Sequence, residues 1–109
     1  MLSDLPNLIF FAGYTNASWT LKSDLTSEYA SRLIKIMDKK GYSSFMALIN
    51  GKKMETIPLL NLNSGYINRS SNIFPKQGSK LPWRLYQNYF FDYTMLRINK
   101  IEDKFLSFR

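Results

Sequence analysis

Five apolar residues in succession, Leu8-Ile-Phe-Phe-Ala12, stopped at once by Gly13, constrain this chain more than any other feature. A run without polar alternation fits a strand covered on both faces, the habit of strands in the middle of a parallel sheet. Such a strand needs neighbours, and parallel neighbours arrive only through long crossover connections. The other unbroken apolar run, Phe45-Met-Ala-Leu-Ile49, leads through Asn50-Gly51 into a hairpin pattern rather than a crossover, so it supplies no parallel neighbour. Residues 8–12 therefore read as one strand of a sheet whose other members lie elsewhere, which is the mark of a fragment.

The run leads directly into a helix. Thr15, Asn16 and Ser18 have side chains able to cap a helix N-terminus. From about Ala17 onward, Leu21, Leu25, Tyr29, Leu33, Ile36 and Met37 recur at helical spacing, with Lys22, Ser27, Glu28, Ser31, Lys35 and Asp38 on the other side. Lys39 and Lys40 suit the negative end of the helix dipole, and Gly41 supplies a left-handed stop. Residues 5–41 thus form a strand-turn-helix unit.

Residues 42–109 are irregular, aromatic and basic. Phe45 to Ile49 and Lys53 to Leu60, joined by Asn50-Gly51, predict a hairpin with a type I′ turn, its second strand at an edge because of Pro58. Ser64-Gly65 can start a short helix through Asn72. Pro75, Gly78 and Pro82 punctuate a loop, and Pro82-Trp83 opens a predicted helix to about Arg97. Phe105-Leu-Ser-Phe108 reads as a terminal strand or a frayed tail.

Composition removes several function classes. At 109 residues, 45% hydrophobic and 21% charged, the chain is globular and of single-domain size. It has no Cys and no His, which excludes thiolate zinc sites, Cys nucleophiles, Ser-His-Asp triads and imidazole acid–base chemistry. No stretch approaches the length of a membrane helix, and the start lacks the pattern of a signal peptide, so the expected place is the cytoplasm. The eight acidic residues include one adjacent pair, Glu102-Asp103, and Asp92 stands alone, so no two-carboxylate catalytic site or metal site is encoded.

Two features could bind something. A buried strand turning through glycine into a helix presents unsatisfied backbone N–H groups at the strand's carboxyl end, a natural anion site; ordinary capping of an ordinary helix has the same look. The small and polar residues Thr15 to Ser18 would let a ring or phosphate approach the backbone, with Trp19 as a wall. The second feature is the net charge of +7, with Lys76, Lys80, Arg84 and Arg97 interleaved with Tyr66, Trp83, Tyr86 and Tyr89. That is the composition of a single-stranded nucleic-acid groove, although a solvated basic face explains charges scattered this widely. The five glycines, at 13, 41, 51, 65 and 78, make neither a dinucleotide fingerprint nor a phosphate loop.

Two blocks carry a family resemblance. Pro6-Asn-Leu-Ile-Phe-Phe-Ala-Gly-Tyr-Thr-Asn-Ala-Ser-Trp-Thr-Leu-Lys22 resembles the C-terminal segment of FAD-containing, NADPH-dependent monooxygenases, most closely the Baeyer–Villiger type that activates ethionamide. Pro75-Lys-Gln-Gly-Ser-Lys-Leu-Pro-Trp-Arg-Leu-Tyr-Gln-Asn-Tyr89 is similar to a second block of the same family, and Met37-Asp38, Lys40-Gly41-Tyr42 and Ser64-Gly65-Tyr66 fall between them in the expected order.

The resemblance implies an α/β parentage. Residues 1–41 would be the closing strand and helix of a Rossmann-type FAD-binding domain, and residues 42–109 an irregular α+β C-terminal extension. It implies that Thr15, Asn16, Ala17, Ser18 and Trp19 neighbour the flavin ring and are not catalytic acids or bases. Only the flavin edge of FAD would meet this segment. NADPH and the FAD pyrophosphate would be held by upstream polypeptide, the segment's implied partner, and a small organic substrate would be oxidised by the complete enzyme. The isolated chain is expected to have no turnover. A truncated frame, a split gene or an expressed piece would each give this sequence. The rival reading from another class is a small basic module for single-stranded nucleic acid.

Overall fold

The computed structural model describes residues 1–49, 54–59, 65, 69 and 72–109. Its elements are α1 (Trp19–Lys40), β1 (Phe45–Ala47), β2 (Thr56–Pro58), β3 (Lys76–Gly78), α2 (Tyr89–Tyr93), a π-helical turn (Thr94–Ile98) and β4 (Leu106–Phe108). Two units share them: Met1–Asn50 with Tyr86–Arg109, and Gly51–Leu85. Among the described residues the chain is a small mixed α/β structure with two small antiparallel sheets.

The larger unit is built on α1, which spans 22 residues. From its inner stripe, Leu33 forms the buried core cluster with Phe45 and Ile101, and Tyr29, Ile36 and Met37 pack against it, while Leu25 on the same stripe is also fully buried. On its outer side Ser23, Ser27 and Ser31 each return a hydroxyl to the carbonyl one turn earlier, at 3.3, 2.9 and 3.0 Å, which lets polar residues sit in a helix without leaving it. Gly41 ends the helix at φ 70°, ψ 26°, a conformation that would strain a side chain there, and Tyr42 N–H returns to the Met37 carbonyl at 3.0 Å.

β1 lies at the centre of the small sheet in this unit. On one side β4 runs antiparallel, with Phe45 opposite Phe108 and Ala47 opposite Leu106. On the other, the N-terminal segment lends Asp4 N–H to the Ala47 carbonyl and Asn7 N–H to the Phe45 carbonyl, both at 2.9 Å. Asp4 and Asn7 hold φ near +60°, a region their short polar side chains tolerate. Arg32 joins α1 to the C-terminal segment: its guanidinium donates to the carbonyls of Leu96, Arg97 and Asn99 at 2.8, 2.7 and 2.9 Å. Those are the carbonyls that the end of the π-helical turn leaves without helical partners.

In the smaller unit β2 and β3 pair antiparallel, Ile57 opposite Gln77. Gln77 holds the unit together through its amide, donating to the Pro58 carbonyl at 2.9 Å and accepting Leu85 N–H at 2.8 Å. Gly78 is buried against Met54 and Trp83, where no Cβ would fit.

Four expectations need correction or limits. Residues 8–12 form no strand and share no ladder with any described residue; Leu8, Phe10 and Phe11 are 40%, 44% and 44% exposed. The run has the side chains of a buried strand but no neighbour to satisfy its backbone. The hairpin does not form either: β1 takes β4 and β2 takes β3. Phe45 and Ala47 point into the core and require apolar residues opposite, which Phe108 and Leu106 supply, whereas Thr56 and Pro58 are exposed. Asn50-Gly51 lies outside the described residues, as does most of the helix expected over 64–72. The helix expected from Pro82 begins only at Tyr89, because Gln87 sits at φ 53° and the Asn88 side chain caps the helix by accepting Phe91 N–H at 3.1 Å. The terminal strand does form, as β4.

The Arg32 clasp can be tested by urea denaturation. Arg32→Ala should lower stability by about 2 kcal/mol, and Arg32→Lys should recover only part of it, because an ammonium cannot fork to three carbonyls. An unchanged midpoint for Arg32→Ala would contradict the clasp.

Candidate functional site

The residues singled out from sequence gather at the head of α1. Thr15, Asn16, Ala17, Ser18 and Trp19 are all exposed and consecutive. Ser18 takes the N-cap position, but its hydroxyl pairs with Thr20 Oγ1 at 2.8 Å instead of capping, and among the described residues no side chain caps the helix. The positive end of a 22-residue helix therefore opens onto this surface. Gly13 passes directly beneath the Trp19 indole, with no room for a Cβ, so the turn into the helix depends on glycine at this position.

What fixes this turn is a cluster that sequence reasoning missed. Tyr14 points inward, and its hydroxyl donates to Asp92 Oδ2 at 2.6 Å. Lys22 Nζ donates to the same oxygen at 2.7 Å and stands 5.3 Å from the centroid of the Tyr14 ring. The three residues are 3%, 7% and 6% exposed for Tyr14, Lys22 and Asp92. Burial, then the hydrogen bond to Asp92 and its negative charge, push the Tyr14 hydroxyl well above its ordinary pKa.

A second tie lies on the surface. Gln87 Oε1 accepts Thr15 N–H at 2.9 Å, with the Thr15 hydroxyl at 3.4 Å, and the Gln87 carbonyl accepts the Asn16 amide at 3.2 Å. Asp92 is thus not isolated, and Lys22 does not belong to the solvated face. The signal was available: Lys22 falls on the stripe with Leu25, Tyr29 and Leu33, and Asp92 is the one acid inside the run Tyr89-Phe-Phe-Asp-Tyr93. A charge on an apolar stripe calls for a buried partner.

Among the described residues, no group of three Asp or Glu positions could hold a metal ion, and no helix is long and apolar enough to cross a membrane. The basic residues are divided between the units, with Lys76, Lys80 and Arg84 in the smaller and Arg97, Lys100, Lys104 and Arg109 in the larger.

Over its whole length the chain is homologous to a C-terminal segment of flavoprotein monooxygenases, and these homologues carry FAD in their names. It is 44% identical to the FAD-containing monooxygenase EthA of Mycolicibacterium smegmatis and 46% identical to that of Mycobacterium tuberculosis, each over 99% of the chain. It is 41% identical to the probable FAD-binding monooxygenase AlmA of Acinetobacter baylyi. The chain spans about a fifth of the length of these relatives, 22% in each case. No protein-family model matches the chain, and no solved structure matches it. No relative supports the nucleic-acid reading.

The buried cluster makes a signed prediction. Asp92→Ala leaves the Lys22 ammonium buried without its partner and should cost about 3–5 kcal/mol. The triple change Tyr14→Phe, Lys22→Met and Asp92→Leu removes every charge together and should return most of that loss, read from chemical denaturation midpoints. A triple variant no more stable than Asp92→Ala would show that the cluster is not the source of the penalty.

Proposed function

We propose that this chain is the C-terminal part of a flavin-dependent monooxygenase of the Baeyer–Villiger or flavin-containing type, and that it completes the flavin pocket without supplying a catalytic acid or base. The observation that carries the reading is identity of 40–46% across the whole chain to monooxygenases named for FAD. The head of α1 fits the same assignment. Residues 15–19 are small, polar or aromatic and exposed, and they surround a helix N-terminus that no side chain among the described residues caps. The pyrimidine edge of a flavin gathers negative charge on reduction, and an open helix N-terminus stabilises negative charge. When bound, flavin supplies the redox chemistry. The residues of this chain orient its ring and screen one edge from water.

The rest of the cofactor belongs to other polypeptide. With no dinucleotide fingerprint among its glycines, the chain has nothing to grip the FAD pyrophosphate or to bind NADPH. Residues 1–41 complete a Rossmann-type FAD domain in this reading, and residues 42–109 form the extension beyond it. The exposed apolar side chains Leu8, Phe10 and Phe11 are then the flank that the missing sheet covers. The substrate is a small organic molecule bound in the complete enzyme.

Alone, the chain should show no flavin absorbance after purification and should not oxidise NADPH when FAD is added. Fused to the upstream portion of the Mycolicibacterium smegmatis relative, in place of that protein's own C-terminal segment, it should give a yellow protein that retains FAD through gel filtration. NADPH oxidation by the chain alone, or a fusion that melts cooperatively yet holds no flavin, would overturn the proposal.

A further inference from the structure

We infer that Gln87 is a positioning residue for the flavin-facing turn, so that the second block carrying the family resemblance acts on the cofactor through the first. The inference rests on the reading that residues 15–19 meet the flavin. Its own ground is geometric. Gln87 stands about 70 positions beyond the turn in sequence, yet it takes up polar groups of two consecutive residues there, using both its side chain and its backbone. Its Oε1 accepts Thr15 N–H at 2.9 Å, and its carbonyl accepts the Asn16 amide at 3.2 Å.

The backbone around Gln87 is shaped for this contact. Its φ of 53° lies in the left-handed region, which non-glycine residues seldom adopt, and Asn88 immediately caps α2 by accepting Phe91 N–H at 3.1 Å. The end of α2 that follows carries Asp92, which holds Tyr14 at 2.6 Å. Adjacent residues of the turn are therefore tied to adjacent parts of one short segment: Tyr14 to Asp92 inside, Thr15 and Asn16 to Gln87 outside. An isolated surface hydrogen bond would leave the turn free to swing about Tyr14. Two attachments on opposite sides of the backbone do not.

The clasp also divides the labour among the five candidate residues. Thr15 N–H and the Asn16 side-chain amide are engaged by Gln87, while the backbone N–H groups of Ala17, Ser18 and Trp19 lie at the open helix end, placed to face a ligand. Gln87 touches no cofactor atom in this account; it acts by holding Thr15 and Asn16. Neither composition nor the spacing of glycines and charges pointed to it.

The test separates the clasp from the cofactor. In the chain by itself, amide hydrogen exchange at Thr15 should quicken about tenfold on Gln87→Ala substitution, since one hydrogen bond is lost. Gln87→Glu keeps an acceptor at the same reach and should restore protection, while the Leu33 amide stays slow in all three proteins. In the flavin-binding fusion, Gln87→Ala should weaken FAD retention and shift the visible flavin band, with Gln87→Glu close to the parent. Unchanged Thr15 exchange in Gln87→Ala would overturn the clasp. Faster exchange with an unaltered flavin band and retention would overturn its role in positioning. A parent fusion without flavin would overturn the proposed function, whatever the exchange result.

Discussion

One carboxylate oxygen organises the larger unit. Asp92 Oδ2 receives both the Tyr14 hydroxyl and the Lys22 ammonium, and none of the three side chains reaches much solvent. A buried ammonium and a buried carboxylate are each expensive by themselves, so each needs the other at short range. The partners lie 70 and 78 positions apart, which makes the pair a long-range constraint rather than a local one. It fixes where α2 sits against α1 and which way the turn before α1 faces. An apolar trio of similar size could fill the same space at little cost, so it is the loss of one partner alone that the fold cannot absorb. Around it the apolar core of Leu33, Phe45 and Ile101 and the Arg32 clasp supply the remaining grip between the N-terminal helix and the C-terminal segment.

How legible the fold was depends on whether its determinants are local. α1 was readable from residues 17 to 41 because apolar periodicity, terminal lysines and a left-handed glycine all act within a turn or two of where they stand. The strand pairing was not. Asn50-Gly51 argues for a hairpin locally, but the core decides which strand lies opposite Phe45, and Phe108 brings more apolar surface there than Thr56 or Pro58. The helix expected from Pro82 starts late for a local reason: Gln87 holds a left-handed backbone and Asn88 caps the helix that follows. At the candidate site the exposed residues were legible and their supports were not. Thr15 to Trp19 advertise themselves by type and order, whereas Gln87 and Asp92 matter only through partners that no spacing rule connects to them.

The run at residues 8–12 links fold to function. Its side chains are those of a strand buried on both faces, and here it forms none. Frustration of this kind is resolved, in the function proposed above, by strands of the complete enzyme; the homologues, named as FAD-containing monooxygenases, are about five times longer than this chain. On the proposed reading, the chain contributes a rigid helix end and its supporting turn, and the upstream polypeptide contributes the sheet and the grip on the nucleotide. The separation is physically sensible, since a helix terminus can stabilise charge at a ring edge without binding the rest of the cofactor.

The central claim, that a buried carboxylate holds the turn through the Tyr14 hydroxyl, is tested most directly by following the Tyr14 ring carbon by NMR as pH is raised. A free phenol titrates near pH 10, at about the ordinary tyrosine value. Because burial disfavours the phenolate and Asp92 stands at hydrogen-bonding distance from it, the folded protein should keep Tyr14 protonated well beyond that pH, and the raised value means that stability declines as pH climbs past 10. A Tyr14 signal that titrates at the ordinary value in the folded chain would contradict the account.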